Sequence, residues 1–414
     1  MVPILDVYDG SFGRDARVGR ARFSLRRGSI STTFVYDDAY LASRSAYMID
    51  PALPLRSAAS HCAGIPGIFR DSSPDRWGRS LIMREHRDRA SDRGSVLRQL
   101  DEVDYLVGVL DMTREGSLRF CEPDGEPLSP SQFVPPLVQL PELLAASRAV
   151  AANEGGYAQI KELLEAGSGS LGGARPKASV CDGATLLLAK FPHPQDGYDI
   201  MAWEHATLAM ARDAGISTAT TKLLRIGGES VLLSERFDRS GSCVDGDRIP
   251  YMSAMTALQA KDGETRDHAE LAEAIPYLTD DPKRQLESLF ARIAFSIAVH
   301  NTDDHLRNIG FLRRGKSWEL APSFDVNPNP IIDVPRVTAV LGERGERESE
   351  ALKDLSAYAG LSPDRARKIV EKVLTATARW RDRATKSGCS EREMRIFGEV
   401  FKRTRSSLQR AFGL

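Results

Sequence analysis

A regular apolar pattern runs over residues 283–300 and passes directly into a short polar segment. Its apolar side chains recur at steps of three and four residues, and they are Leu286, Leu289, Phe290, Ile293, Ala294, Ile297 and Ala298. That spacing predicts an amphipathic helix with one face in a core. Residues 300–308 are mostly polar, and the apolar residues 309–312 predict a short buried strand. The chain is therefore expected to present a polar loop between a core helix and a core strand.

Asp303 and Asn308 lie five residues apart in this loop, which is the offset found in kinase catalytic loops. In that arrangement the aspartate accepts the proton of the attacking hydroxyl and the asparagine holds a magnesium ion. Asp325, further along the chain, could hold the metal that bridges the phosphates. Asp, Asn and His are also common turn formers and helix caps, so the pair alone does not decide. Its place after a core helix favours phosphoryl transfer.

Groups that hold nucleotide phosphates are expected further upstream. Residues 170–177 read S-L-G-G-A-R-P-K, where glycines let backbone N–H groups approach a phosphate and Lys177 adds a positive charge. Lys190 ends an apolar stretch, like the strand lysine that pairs with ATP phosphates in kinases. Glu204 on the next predicted helix would be its partner. A flexible linker and a solvent-exposed lysine are the plainer alternatives.

Residues 234–239, S-E-R-F-D-R, end the last predicted strand before a mostly helical half. A hinge at this point would offer backbone groups to an adenine, with Asp238 within reach of a ribose. The alternative is a strand with alternating charges, and only the chain order favours the hinge.

Composition narrows the class of protein without deciding it. Lys plus Arg number 56 and Asp plus Glu 57, so the net charge of -1 provides no general attraction for nucleic acid. The five cysteines are widely spaced and lack a CxxC pair, which argues against a zinc ribbon and a disulfide framework. No signal-peptide pattern and no apolar run of 18 residues is present, so we expect a cytoplasmic protein without membrane association.

The order of predicted elements indicates an α+β protein. Short β-rich runs and turns over the first forty residues predict an antiparallel meander, and residues 58–110 favour helix. Residues 121–141 suggest a linker. Four strand-like runs with one helix at residues 200–214 follow, and the chain beyond residue 249 is expected to be almost entirely helical. Ser362-Pro363 and the capping box at Ser390 predict two of these helix starts.

Taken together, these motifs resemble the HipA family of bacterial serine/threonine kinases, the toxin halves of HipBA toxin–antitoxin pairs. The resemblance covers nearly the whole chain. The matching motifs are residues 73–79 (S-P-D-R-W-G-R), 170–177, 190–192 (K-F-P), 235–239 (E-R-F-D-R), 303–308 (D-D-H-L-R-N) and 324–325 (F-D). The resemblance implies a bilobal protein-kinase-like fold with a β-rich N-terminal subdomain (1–125), an N-lobe core (126–240) and an all-helical C-lobe (241–414).

The resemblance also implies a role for each site residue. Those at the reaction centre would be Asp303 as catalytic base, His305 near the nucleotide, and Asn308 and Asp325 as Mg²⁺ ligands. Those that bind ATP would be Ser170, Gly172, Gly173, Lys177, Lys190, Glu235 and Phe237, and the hinge position adds Asp238 as a further candidate. Ser170 corresponds to a position that such kinases autophosphorylate, which would switch the enzyme off by adding negative charge beside the ATP phosphates. Asp304, directly after the base, is an extra acid that could compete for the metal.

The same resemblance implies the partners, and the residues of the catalytic loop leave other functions open. In the family the protein substrate can be an aminoacyl-tRNA synthetase, and a HipB-like antitoxin with a helix-turn-helix would make any DNA contact indirect. A small-molecule or lipid kinase with a similar catalytic loop is one alternative. Others are a metal-dependent hydrolase that uses His300, Asp303, Asp304 and His305, and an inactive pseudokinase that acts as a corepressor.

Overall fold

The computed structural model describes residues 4–12, 16–129, 133–170, 173–243 and 246–414. They form two compact units, of which the first comprises Met1–Gln195 with Leu233–Met252 and the second Asp196–Leu232 with Ser253–Leu414. The domain boundaries predicted from the sequence, at residues 125 and 240, stay a prediction. Within the described residues, no helix combines the length and the apolar character needed to cross a bilayer.

The regular elements are numbered in chain order. The strands are β1 (Ile4–Asp9), β2 (Ala16–Arg26), β3 (Ser29–Tyr36), β4 (Ser60–Ala63), β5 (Leu118–Cys121), β6 (Lys177–Asp182), β7 (Thr185–Lys190), β8 (Thr221–Ile226), β9 (Glu229–Glu235), β10 (Arg239–Ser240), β11 (Asp247–Arg248), β12 (Tyr251–Ser253), β13 (Gly310–Arg314) and β14 (Ser317–Leu320).

The α-helices are α1 (Asp38–Leu41), α2 (Gly67–Asp71), α3 (Arg76–Asp92), α4 (Glu102–Val107), α5 (Leu140–Ala151), α6 (Tyr157–Glu165), α7 (Ile200–Asp213), α8 (Ala254–Ala257), α9 (His268–Leu278), α10 (Pro282–Ala298), α11 (Glu348–Tyr358), α12 (Pro363–Ala378), α13 (Trp380–Lys386) and α14 (Glu391–Phe412). Short 3-10 turns are formed by Gly10–Phe12, Leu137–Gln139 and Leu306–Asn308.

The first unit contains a five-stranded antiparallel sheet with the order β4-β3-β2-β1-β5. Side chains alternate along β2, where Ala21 and Phe23 are buried and Arg22 is exposed, as expected for a sheet with one face on a core. The predicted meander is confirmed. The predicted change to helix at residue 58 is wrong, because β4 pairs with β3 and the first helix after it begins at Gly67.

In the first unit, β6 and β7 form an antiparallel pair that follows the predicted glycine-rich segment. Cys181 of β6 forms a disulfide with Cys243, and their Cα atoms are 6.2 Å apart. The argument against a disulfide framework did not anticipate this pair, which lies 62 residues apart in the chain. Such a pairing depends on the fold and leaves no local signature in the sequence.

The second unit is built around α10, which packs against α9, α11, α12 and α14. Asp281 caps its first turn by accepting from the Arg284 N–H, and Pro282 occupies the first helical position. The buried residues of α10 repeat at helical spacing, so the predicted core helix is confirmed. The predicted caps at Ser362 and Ser390 are also present at α12 and α14.

An antiparallel pair of strands, β13 and β14, interrupts this helical part of the chain. Residues 321–347 form neither helix nor extended strand pairs. The expectation of an almost entirely helical chain beyond residue 249 is therefore only partly right. The exceptions matter for function, because β13 follows the polar loop and the irregular segment contains Asp325.

Candidate active site

The polar loop after α10, residues 300–308, is called the catalytic loop here. His300 begins it with a left-handed φ of 52°, which is uncommon for a residue other than glycine. The Asp303 side chain is 73% exposed, and its Oδ1 lies 3.8 Å from His305 Nε2. Asn308 Nδ2 donates to the Asp303 carbonyl at 2.8 Å. The structure thus brings together all three residues that were predicted for the reaction centre from this loop.

Asp304 has the opposite environment to its neighbour Asp303. It is 6% exposed, and its Oδ2 accepts hydrogen bonds from Arg336 and, at 3.1 Å, from His268 Nε2. Thr338 Oγ1 donates to its main-chain carbonyl at 2.8 Å. Because this carboxylate is held inside the protein by an arginine, we do not expect it to compete for an active-site metal.

Asp325 lies in the irregular segment 322–329, called the metal-site segment here. Its φ is 54°, a left-handed conformation that costs energy and that often marks functional positions. Asn327 Nδ2 donates to Asp325 Oδ1 at 3.0 Å. Further back, the main chain of Ser323 bonds to Ser217 and Ala219 beside α7. These contacts hold the segment on both sides of the aspartate.

Hydrogen bonds join the metal-site segment to the catalytic loop. The Asn329 N–H donates to the His300 carbonyl at 2.9 Å, and His300 Nδ1 lies 2.8 Å from the Asn329 carbonyl. Asn329 Nδ2 donates to Thr302 Oγ1 at 2.8 Å. The two segments that contain the predicted base and metal ligands therefore form one connected structure. Asn329 was not singled out from the sequence, although it follows Asp325 closely.

The contacts of His300 and Asp304 bear on the hydrolase alternative. One ring nitrogen of His300 is engaged with the Asn329 carbonyl, and the Asp304 carboxylate is engaged with Arg336. Asp303, by contrast, is largely exposed. A joint metal site that includes Asp304 would require its contact with Arg336 to break, so the geometry does not favour it.

The glycine-rich loop, residues 167–176, lies in the first unit, and its predicted phosphate contact Gly172 is outside the described residues. Gly173 has a φ of 107°, and a Cβ added there would lie 2.6 Å from Lys177 Nζ. Residues with a side chain rarely adopt a φ of 107°, so this position favours glycine. The Gly173 N–H donates to Asp75 Oδ2 at 2.5 Å. Asp75 belongs to the S-P-D-R-W-G-R motif, for which the sequence had suggested no local role.

Ser170 is buried in this loop, with 1% of its surface exposed. Its Oγ lies 2.5 Å from Thr113 Oγ1. Gly78 of α3 lies against the same loop, since an added Cβ would come within 2.8 Å of the Gly169 Cα. Phosphorylation of Ser170 would therefore require the loop to leave this position. The predicted autophosphorylation stays a prediction.

Lys177 and Lys190 lie directly opposite each other across β6 and β7. Lys177 is buried, with 3% exposed, and the Lys190 side chain is half-buried. This register brings the two lysines that were predicted to bind phosphate onto neighbouring strands. Glu204 lies on α7 of the second unit and is buried. Its pairing with Lys190 stays a prediction.

Residues 235–239, called the hinge segment here, run beside β7, where the Arg236 N–H donates to the Leu186 carbonyl at 3.1 Å. Glu235 is exposed, and the Phe237 ring is 6.2 Å from that of Tyr251. The predicted adenine contact of Glu235 and Phe237 stays a prediction.

Asp238 is differently placed, because its carboxylate is fully engaged inside the first unit. Arg236 donates to both oxygens, and Oδ2 also accepts from Arg239 at 2.9 Å and from the Gly116 N–H at 2.8 Å. Burial alone would raise the pKa of Asp238, but Arg236 and Arg239 outweigh it and hold that pKa well below its usual range. The predicted ribose contact of Asp238 is therefore withdrawn, and we assign this residue a structural role.

Two family models match the chain. Residues 13–103 match the HipA N-terminal domain. Residues 169–380, just over half of the chain, match the HipA-like C-terminal domain. The chain belongs to the HipA family. The resemblance recognised in the sequence is thereby confirmed, and the HipA-family match includes the catalytic loop, the metal-site segment and the hinge segment.

Two solved structures were compared with this HipA-family protein. A chain of the Shewanella oneidensis MR-1 toxin–antitoxin complex of HipA, HipB and operator DNA is similar over 99% of this HipA-family protein and 98% of its own length, with 15% identity and a TM-score of 0.69. The predicted α+β, HipA-like fold class is confirmed. The proinflammatory kinase CtkA of Helicobacter pylori covers 59% of this protein and 94% of its own chain, with 16% identity and a TM-score of 0.44. No curated sequence matches.

Proposed function

We propose that this HipA-family protein is an ATP- and Mg²⁺-dependent serine/threonine protein kinase that acts as the toxin of a HipBA-type pair. The observation that carries the proposal is the arrangement in the second unit. An exposed Asp303 lies beside His305 and Asn308, and its loop is hydrogen-bonded to the segment that contains Asp325. Kinase chemistry requires a base and metal ligands held together in this way.

Asp303 is the proposed general base. Its carboxylate accepts the proton of a serine or threonine hydroxyl while the hydroxyl oxygen bonds to the γ-phosphorus of ATP. The bond from that phosphorus to the bridging oxygen breaks, and ADP leaves. His305 Nε2, 3.8 Å from Asp303 Oδ1, lies close enough to influence the orientation of the carboxylate.

Asn308 and Asp325 are the proposed magnesium ligands. Both offer the oxygen donors that Mg²⁺ prefers. Because Asn308 Nδ2 donates to the Asp303 carbonyl, its amide oxygen is directed away from that contact and is oriented for another partner. The metal would supply charge that stabilises the phosphates of ATP.

Residues of the first unit are proposed to bind the nucleotide. Lys177 and Lys190, opposite each other on β6 and β7, are the proposed contacts to the phosphates, and Gly172, Gly173 and Ser170 of the glycine-rich loop are proposed to add to them. The backbone groups of Glu235 and Phe237 would contact the adenine. Autophosphorylation of Ser170 would place a phosphate where its hydroxyl now bonds to Thr113, so the loop would be displaced and the kinase inhibited.

The partner is proposed by analogy with the Shewanella complex, which contains HipB and operator DNA. A HipB-like antitoxin with a helix-turn-helix would bind this protein and mediate contact with DNA. The substrate is proposed to be a host translation protein such as an aminoacyl-tRNA synthetase, whose phosphorylation would inhibit growth.

The test is labelling of cell lysate with radioactive ATP and Mg²⁺. Wild-type protein should label discrete bands on serine or threonine, and Asp303→Asn should reduce labelling by about 100-fold or more, as for loss of a general base. Asp280→Asn, at an exposed acid in the same unit, is the matched control and should label normally. Equal labelling by wild type and Asp303→Asn would refute the proposed mechanism.

A further inference from the structure

A buried ionic cluster adjoins the proposed catalytic base. Asp304, the next residue in the chain, accepts a hydrogen bond from Arg336 Nη1 through its Oδ2. The Nε of the same guanidinium donates to Glu348 Oε2 at 2.8 Å. Arg336 is 2% exposed, and Glu348, the first residue of α11, is 8% exposed. One arginine therefore connects the catalytic loop to a helix of the core.

The main chain beside Arg336 also holds the loop. The Val337 N–H donates to the Thr302 carbonyl at 2.9 Å, and Thr338 Oγ1 donates to the Asp304 carbonyl at 2.8 Å. These bonds lie on both sides of Asp303 in the chain. Arg336 Nη1 additionally donates to Ser296 Oγ of α10 at 3.2 Å. The backbone around the base is thus held by contacts that its own side chain does not make.

Asp303 itself projects outward. Its side chain is 73% exposed, so its position depends strongly on the backbone that supports it. A displacement of a reacting group by about 1 Å can cost a factor of about 100 in rate. Rigid support from the neighbouring residue would therefore affect catalysis directly.

We propose that Asp304 and Arg336 position the catalytic loop so that Asp303 faces the acceptor hydroxyl, whereas Glu348 only pairs with the far side of the Arg336 guanidinium. This inference rests on the proposed kinase function and concerns residues to which no role had been assigned. Arginine suits the task because its planar fork bonds two carboxylates at once, which the single ammonium group of lysine does not do in the same geometry.

Stability alone is a weak explanation for such a cluster. Burying charged groups costs solvation free energy, and apolar replacements of buried ion pairs are often neutral or stabilising. A directional link from a core helix to the residue beside the base provides a different reason for the cluster. It predicts a defect in the chemical step that is larger than the loss of folding stability would explain.

The test compares the two ends of the cluster. Asp304→Asn and its matched control Glu348→Gln each remove one carboxylate charge from the same guanidinium, but only Asp304 adjoins the base. We expect Asp304→Asn to lower kcat by about 10- to 100-fold with KM for ATP changed less than about 2-fold. Glu348→Gln should lower kcat by less than about 3-fold at a similar shift in Tm.

Two Arg336 variants test the link itself. Arg336→Lys should recover part of the kcat that Arg336→Met loses, because lysine keeps the charge although it cannot bond both carboxylates in the same way. If Arg336→Met does not fold, the comparison of Asp304→Asn with Glu348→Gln decides. Equal kcat losses in those two variants, or full activity of Asp304→Asn, would overturn the positioning role.

These measurements distinguish failure of the positioning role from failure of the proposed kinase function. If wild-type protein transfers no phosphate and Asp303→Asn makes no difference, the kinase proposal fails. If wild type is active and Asp303→Asn is inactive, but the two ends of the cluster behave alike, only the positioning role fails.

Discussion

The hinge segment and the catalytic loop each contain an aspartate that was expected to contact a ligand, but the two carboxylates differ in exposure and in hydrogen bonding. Asp238 in the hinge segment is 1% exposed and bonds to two arginines and a main-chain N–H. Asp303 in the catalytic loop is 73% exposed, whereas its neighbour Asp304 is buried.

The comparison shows that tertiary contacts decide whether an acidic side chain forms internal ion pairs or can contact a ligand. A carboxylate whose oxygens already accept from arginines in the interior has little capacity left for a ligand. An exposed carboxylate on a well-held backbone keeps that capacity. In the catalytic loop, Asp304 forms the internal ion pair and the adjacent Asp303 is exposed. In the hinge segment, Asp238 is the only aspartate, and it forms the internal ion pair.

The largest expected effect comes from removing the structural aspartate. Asp238→Ala would leave Arg236 and Arg239 buried without their carboxylate, and we expect a loss of about 3–5 kcal/mol in the free energy of unfolding. Urea denaturation followed by fluorescence measures it. Asp182→Ala, at an exposed position in the same unit, is the control and should change stability by less than about 0.5 kcal/mol. A loss as small as that of the control would mean that Asp238 is not structural.

An intermediate effect on stability is expected from Glu115, which is partly buried and is influenced by the charge of Asp238. Burial, and then the negative charge of Asp238, raise the pKa of Glu115 from 4.5 to about 8. Between these values the folded protein binds more protons than the unfolded chain, so stability falls as pH rises from about 4.5 to 8. We expect this contribution to be on the order of 1–3 kcal/mol.

Glu115→Gln tests that dependence, because glutamine does not titrate. The variant should lose less stability than wild type between pH 5 and pH 8, as measured by urea denaturation at each pH. Glu122→Gln, at an exposed site of the same unit, should follow wild type. Parallel pH profiles for wild type and Glu115→Gln would contradict the raised pKa.

The smallest expected effect concerns the link that supports the exposed aspartate. Asn329→Ala removes the hydrogen bond to Thr302 Oγ1 and the acceptor of the Ile331 N–H, while the main-chain bonds to His300 remain. We expect a loss of about 1 kcal/mol and a fall of several-fold in kinase activity. Thr302→Val removes only the first of these bonds and should have a smaller effect. Hydrogen exchange of residues 300–308 and kinase rates measure both.

Local patterns predicted the elements that lead into the site. The helical spacing of residues 283–300 identified α10, and the lysines at 177 and 190 were recognised as candidates for phosphate binding before β6 and β7 placed them opposite each other. The helix cap at Ser390 was likewise predicted from the sequence. These features depend on contacts between residues that are close in the chain or share one element, so sequence spacing is enough to predict them.

Other features had no local signal. The Asp304 contact with Arg336 spans 32 residues, and the Gly173 contact with Asp75 spans 98. The Cys181–Cys243 disulfide was missed for the same reason. The burial of Asp238 had no local signal either, because chain order alone had placed it at a hinge and only the fold shows its contacts with Arg236 and Arg239.

The sequence by itself determined the HipA family, the helix–loop–strand framework of the catalytic loop and the identity of the candidate base and metal ligands. Periodicity, caps and motif spacing encode these, since they arise from short-range geometry. Tertiary structure alone decided which of two adjacent aspartates is exposed, which aspartate is neutralised by arginines, and that Ser170 is buried against Thr113. Burial and ion pairing depend on residues brought together from distant parts of the chain, and no local pattern specifies those partners.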